Sequence, residues 1–184
     1  IFCHMCKKAD TARDEGLTTP ESITRFDDII YGSDPKWQIL DVYRPKDIAT
    51  PAPVIVSVHG GGWEYGDKGV YQYYCMDLAK RGFIVVNFSY RLAPKHRFPA
   101  QIIDTNTVFD WVIKNADKYG FDTDNIFAVG DSAGAQILAT YSCILTNPEY
   151  AKEFPFEAPK GLKIKGVALN CGLYNVENTK NISL

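Results

Sequence analysis

The feature that most constrains the fold of this chain is a set of short apolar runs, each separated from the next by a helix-length segment. The strongest runs are Val54–Val58, Phe83–Phe88 and Ile126–Val129, and Ile164–Leu169 supplies one more candidate strand. A continuous run rich in β-branched residues is typical of a strand buried on both faces of a parallel sheet. The runs are far shorter than the roughly 18–20 residues of a membrane span.

The segments between these runs have helical patterns. The interpretation predicts helices over Gln72–Arg81, Gln101–Tyr119 and Ala133–Leu145, with Gly120 ending the second. A strand pair is predicted earlier in the chain, over Thr24–Tyr31 and Trp37–Tyr43. Strands that alternate with helices indicate an α/β fold, a mostly parallel sheet with helices on both faces.

Charge and cysteine content exclude several classes of protein. The 20 Lys+Arg and 22 Asp+Glu residues give a formal net charge of −2, and no basic run is present to grip nucleic acid. Five cysteines form an odd set, which favours reduced thiols and a cytoplasmic location over a disulfide scaffold. Cys3 and Cys6 have CxxC spacing, but no second ligand pair stands nearby, so no metal site is expected.

The strongest chemical motif is G-x-S-x-G at residues Gly130–Gly134. It follows the predicted strand Ile126–Val129 and opens the predicted helix Ala133–Leu145, which is the context that a nucleophile elbow requires. A sharp strand-to-helix turn strains the backbone at Ser132, and only glycine fits at both flanks. The serine hydroxyl is then expected above a helix N-terminus, whose N–H groups favour developing negative charge.

A second glycine motif stands directly after the strand Val54–Val58. It reads His59-Gly60-Gly61-Gly62-Trp63 and lets backbone N–H groups approach a substrate without side chains in the way. Together with the N–H of Ala133, these groups are predicted to bind the oxyanion of a tetrahedral intermediate. A phosphate cradle would need a following Lys-Ser/Thr order that this loop lacks.

In combination, these motifs resemble the hormone-sensitive-lipase-like branch of the α/β-hydrolase carboxylesterases. The resemblance rests on residues 59–63, 90–96 (YRLAPKH), 98–100 (FPA) and 130–134, with 40–45 (LDVYRP) matching the second strand. It implies a three-layer α/β-hydrolase sandwich over residues 24–184, and a cap to which residues 1–23 contribute. It implies a small-molecule ester substrate without metal or cofactor, and leaves a homo-oligomer open. The residues it assigns are the nucleophile Ser132, the oxyanion-hole residues Gly61, Gly62 and Ala133, and the supporting residues His59, Gly60, Gly130, Asp131 and Gly134.

The family uses a catalytic triad whose members follow the order Ser, then Asp or Glu, then His along the chain. This sequence departs from the family at the acid and at the histidine. All three histidines precede Ser132, and the residues after it include neither His nor Asp. We therefore expect an incomplete portion of a longer protein that lacks the last strands and helices, with the acid and the histidine beyond Leu184, and an inactive chain on its own. Weaker alternatives are His59 or His96 as base and Glu177 as acid.

Two other functions stay open at this point. An α/β-hydrolase fold without turnover would serve as a binding or interaction protein, because fold alone does not fix function. An amidase or acyltransferase would use the same elbow with a different substrate or acceptor.

Overall fold

The computed structural model describes the backbone of residues 2–174 and the side chains of residues 7–174. Its strands are β1 (Ile23–Ile30), β2 (Ile39–Pro45), β3 (Ala52–Val58), β4 (Ile84–Phe88), β5 (Phe121–Asp131) and β6 (Ile164–Asn170). Its α-helices are α1 (Phe2–Asp14), α2 (Gln72–Ala79), α3 (Ala100–Lys114), α4 (Ala116–Tyr119), α5 (Ala133–Thr146) and α6 (Pro148–Ala151), and a 3-10 helix spans Lys68–Tyr71. No helix within residues 2–174 combines the length and the apolar character needed to cross a membrane.

The strands form one sheet in the order β1-β2-β4-β3-β5-β6. Strand β2 runs antiparallel to both β1 and β4, whereas the pairs β4-β3, β3-β5 and β5-β6 are parallel. The predicted strand pair at the start of the chain and the mostly parallel sheet that follows it are therefore confirmed.

Helices cover both faces of the sheet because neighbouring residues of a strand point to opposite sides. On one face Val56 packs in a cluster that contains Phe109 of α3 and Leu138 of α5. On the other face Ile55 belongs to a cluster that contains Met76 of α2. The sheet with a helical layer on each side confirms the predicted three-layer α/β sandwich.

One predicted helix is two helices in the structure. The periodic segment Gln101–Tyr119 is interrupted at Asn115, which has φ −109° and ψ 14°. The Asn115 side chain donates a hydrogen bond of 2.8 Å to the Trp111 carbonyl. Asparagine competes in this way for backbone groups, and so favours a break over helix continuation. Gly120 ends the second helix in the left-handed conformation, as predicted, with φ 77°.

Strand β5 is longer than the apolar run Ile126–Val129 that predicted it. Its first residues pair with the start of β3, Ala52 with Phe121 and Pro53 with Asp122, before the register shifts. The Asp122 carboxylate accepts hydrogen bonds from the Asp124 N–H and the Asn125 side chain at the shift. These side-chain bonds are typical of a turn, and here they lie within an irregular strand.

The core makes a direct prediction for Phe109, which is fully buried and stacked on Tyr141 with ring centroids 5.2 Å apart. We expect Phe109→Ala to reduce the free energy of unfolding by about 3–5 kcal/mol, because it leaves a cavity between α3 and α5. Urea unfolding of the full-length protein measures this. The control Phe98→Ala, at a side chain that is 67% exposed, should cost less than about 1 kcal/mol. Equal losses for the two variants would contradict the assigned core.

Candidate active site

Ser132 lies at the turn between β5 and α5, and its side chain is exposed. Its backbone has φ 51° and ψ −114°, a conformation that L residues rarely adopt. The two flanking glycines are required by close backbone contacts. A Cβ on Gly130 would lie 2.5 Å from the Gly134 carbonyl, and one on Gly134 would lie 2.1 Å from the Val58 carbonyl oxygen. The sequence motif therefore forms a strained turn that presents the hydroxyl to solvent.

The glycine loop that follows β3 lies beside this turn. Strands β3 and β5 are adjacent and parallel, with Val58 paired to Gly130, so the two loops leave the same edge of the sheet. A Cβ on Gly60 would stand 3.3 Å from the Ser132 Cβ. Gly61 has φ 119°, and a side chain there would meet the Tyr65 carbonyl oxygen at 2.0 Å. The loop can therefore fold this closely against Ser132 only with glycines.

Of the two backbone N–H groups at the start of α5, one already has a hydrogen-bond acceptor and the other has none within the helix. The Ser132 N–H donates a hydrogen bond of 2.8 Å to the Asn170 carbonyl at the end of β6. Ala133 is the first residue of α5, so its N–H has no intrahelical acceptor. Because helix N-termini favour negative charge, the Ala133 N–H is chemically suited to a developing oxyanion.

His59 lies inside the protein rather than at its surface. The imidazole is fully buried, and its Nδ1–H donates a hydrogen bond of 2.7 Å to the Gly60 carbonyl. The ring stacks on Tyr90 with centroids 4.0 Å apart, and burial lowers the pKa of His59 to about 4. Its Nε2 is buried and has no partner in the described part of the chain. His59 therefore braces the glycine loop as a neutral ring and is not bonded to Ser132.

The other two candidates for the missing triad members give no contact with Ser132. His96 packs edge-on against Trp37, and its buried Nε2 has no partner among residues 7–174. Glu177 lies outside the described residues. Across the described side chains, no histidine ring forms a hydrogen bond to Ser132.

Asp131, the residue before Ser132, accepts a hydrogen bond from a tyrosine hydroxyl. Its Oδ2 receives the Tyr71 hydroxyl at 2.7 Å. The sequence motifs do not predict this contact. The partners are 60 residues apart in sequence, and no local pattern connects them.

The segment that follows β4 contacts the last residue of the glycine loop, Trp63. The Ala93 N–H donates to the Trp63 carbonyl at 2.9 Å. Arg91 pairs with the fully buried Asp104 at 2.7 Å, and Asp104 also accepts the Gln38 side chain at 2.7 Å. These bonds give the buried Asp104 a structural role, which joins the segment after β4 to α3.

A mainly apolar cavity of about 370 Å³ opens between the glycine loop, α3 and α5. It includes Trp63 of the loop, and Gln136 and Ile137 one turn along α5 from Ser132. Its other lining residues are Ala93, Arg97, Phe98, Gln101, Ile102 and Thr140. Within the described chain, no group of three or more His, Cys, Asp or Glu residues could hold a metal ion.

Helix α1 lies against the segment that follows the glycine loop. Asp10 accepts a hydrogen bond of 2.7 Å from the Tyr65 hydroxyl, and the Arg13 guanidinium donates to the Val70 carbonyl. The N-terminal segment is therefore docked onto the core near the site. Whether it caps the site stays a prediction from the resemblance.

The sheet, the strained serine turn and the glycine loop define the class of the fold as an α/β-hydrolase. The sequence model of the BD-FAE family matches residues 40–183, and the chain belongs to this family.

Among curated proteins, the chain is 40% identical over 129 residues to esterase LipC of Mycobacterium tuberculosis, covering 69% of this chain and 32% of LipC. It is 32% identical to esterase LipQ of the same organism, covering 84% of this chain and 37% of LipQ. Among solved structures, esterase B from Lactobacillus rhamnosis superposes with a TM-score of 0.86 at 30% identity, over 92% of this chain and 54% of the other. The chain thus spans about a third of these curated relatives and about half of the solved enzyme.

The contact of Gly134 with β3 predicts a large effect for one added methyl group. We expect Gly134→Ala to cost at least about 3 kcal/mol of unfolding free energy, because backbone carbonyls cannot move aside as a side chain would. Ala139→Gly in the same helix is the matched control, with an expected loss of about 1 kcal/mol from helix propensity. Urea unfolding compares the two, and a loss below 1 kcal/mol for Gly134→Ala would contradict the observed packing.

The buried His59 predicts a pH dependence of stability. Its folded pKa of about 4 lies below the ordinary value of about 6.5, so the unfolded chain binds a proton between these values and the folded chain does not. Stability contributed by the neutral ring is complete above pH 6.5 and is lost as the pH falls toward 4, by about 3 kcal/mol in total.

Urea unfolding at pH 7 and pH 5, with NMR titration of the ring, measures this dependence. His59→Gln should remove this part of it and His96→Gln should retain it. A His59 ring that titrates near 6.5 in the folded protein would refute the prediction.

Proposed function

We propose that this protein is a serine carboxylic-ester hydrolase that acts through an acyl-enzyme on Ser132. The observation that carries the proposal is the exposed, strained Ser132 directly against the glycine loop, so close that a Cβ added to Gly60 would lie 3.3 Å from the Ser132 Cβ. A nucleophile placed beside unpaired backbone donors is the arrangement that acyl transfer needs.

In this proposal the Ser132 Oγ attacks the ester carbonyl carbon, and the carbonyl oxygen becomes an oxyanion. The N–H groups of Gly61, Gly62 and Ala133 bind that oxyanion, each worth about 3 kcal/mol in comparable sites. The alcohol leaves with a proton, and water then releases the acid from Ser132. No metal or organic cofactor takes part. The scheme requires a general base, which a residue outside the described part of the chain has to supply, because no described histidine bonds to Ser132.

The relatives support an ester as the substrate. LipC and LipQ are named esterases, and esterase B was solved with a tributyrin phosphonate inhibitor, at a TM-score of 0.83 and 30% identity. The mainly apolar cavity beside α5 suits the acyl or alcohol group of a small ester. The contribution of residues 1–23 to a cap over a core of 24–184 and the cytoplasmic location remain predictions, and a homo-oligomer stays open.

The alternatives from the sequence differ in measurable ways. A binding protein without turnover forms no covalent adduct at Ser132. An amidase or acyltransferase forms the adduct but prefers an anilide substrate or an alcohol acceptor over ester hydrolysis.

A fluorophosphonate probe tests the proposal on the full-length protein. We expect one adduct, mapped by mass spectrometry to Ser132, and hydrolysis of p-nitrophenyl esters that falls at least about 1,000-fold in Ser132→Ala. Ser142→Ala is the matched control, because this serine lies in α5 and its hydroxyl already donates to the Leu138 carbonyl at 2.8 Å. Labelling at another residue, or ester hydrolysis that survives Ser132→Ala, would refute the proposal.

A further inference from the structure

We propose that Tyr71 is a positioning residue that clamps the glycine loop (residues 59–63) to the turn that carries Ser132. The inference rests on the proposed function, since it concerns the same site. Tyr71 belongs to neither glycine motif. It contacts both, and it fixes the distance between Gly60 and Asp131, the residues that precede the proposed oxyanion donors and the nucleophile.

The contacts of the Tyr71 hydroxyl carry the argument. It donates a hydrogen bond of 2.7 Å to the Asp131 carboxylate. Gly60 lies against the same oxygen, and its backbone partly offsets the rise in the pKa of Tyr71. A Cβ on Gly60 would lie 3.2 Å from that oxygen and 2.9 Å from the Asp131 carbonyl oxygen. One hydroxyl therefore joins the first glycine of the loop to the residue before Ser132.

The base of Tyr71 is held in place independently of the site. Tyr71 ends the 3-10 helix whose first residue is Lys68. The Lys68 ammonium pairs at 2.8 Å with both Asp28 and the buried Asp41. The Lys68 carbonyl accepts the Asn87 side chain at 2.6 Å. Because this 3-10 helix is fixed to the sheet, the Tyr71 side chain that extends from it can hold the glycine loop in a fixed position relative to the sheet.

The hydroxyl serves as a donor and not as a proton-transfer group. Burial, and then the neighbouring Asp131 carboxylate, raise the pKa of Tyr71. The phenol therefore stays protonated across the pH range of ester hydrolysis. Because it bonds to Asp131 and lies behind Gly60, it acts through these groups and needs no contact with substrate.

The test is Tyr71→Phe in the full-length protein, which keeps the ring and removes only the hydroxyl. We expect kcat for a short p-nitrophenyl ester to fall about 10- to 100-fold, because a loop displaced by about 1 Å loses oxyanion stabilisation. KM should change less than about 3-fold, as for an interaction made mainly in the transition state. The rate of phosphonate labelling at Ser132 should fall with kcat.

Tyr73→Phe is the matched control, because Tyr73 lies two residues along and its hydroxyl donates instead to the Leu17 carbonyl at 2.7 Å. It should retain wild-type kcat. Asp131→Ala removes the acceptor and keeps the tyrosine. It should reproduce the loss, and the double variant should lose no more than either single variant, as expected for groups that act as a unit.

The outcomes separate this inference from the function on which it rests. If Ser132 of the wild-type protein takes no phosphonate, the proposed function fails. If Ser132 is labelled but folded Tyr71→Phe or Asp131→Ala keeps wild-type kcat, the clamp alone is overturned. If the losses of the two variants add independently, or if KM rises while kcat holds, the clamp is likewise overturned.

Discussion

The close approach of helix α5 to strand β3 is the contact on which the rest of the site depends. At Gly134 the helix backbone lies so near the Val58 carbonyl that a Cβ there would stand 2.1 Å from it. This approach sets where α5 begins, and hence where Ser132 and the Ala133 N–H stand. Since β3 is paired to β5 in register, the glycine loop that leaves β3 meets the turn that leaves β5. The sheet thus brings together two segments that are about seventy residues apart in sequence.

Much of the fold could be predicted because burial on both faces leaves a strong trace in the sequence. Strands such as β3 and β4 must be apolar throughout, so their runs are visible without any partner. The nucleophile turn was equally visible, since its geometry tolerates only glycine at two fixed positions. The break at Asn115 and the early start of β5 were missed for a shared reason. Both are set by side-chain bonds and strand pairing that a pattern of apolar residues does not record.

The Tyr71 contacts and the Lys68 ion pairs were hidden from sequence for a different reason. A tyrosine in a loop most often packs its ring, and nothing local distinguishes one whose hydroxyl reaches Asp131. The pairing of Lys68 with Asp28 and Asp41 likewise joins residues from separate elements. Such contacts exist only once the sheet has formed. They therefore refine a geometry that the glycines and the strands have already defined, and do not create it.

His59, which begins the glycine motif after β3, shows how the described residues divide the chemistry. His59 is fully buried and neutral, with one nitrogen bonded to the Gly60 carbonyl. Protonating it would place a charge in the core, which burial disfavours, so it is unsuited to accept the Ser132 proton. In the proposed mechanism the described residues therefore supply the nucleophile and the backbone N–H donors, and the base comes from elsewhere. Donors fixed by the fold need no reorganisation during reaction. Phosphonate labelling and ester turnover both begin with attack by Ser132, so both depend on these donors and on the base that takes the serine proton.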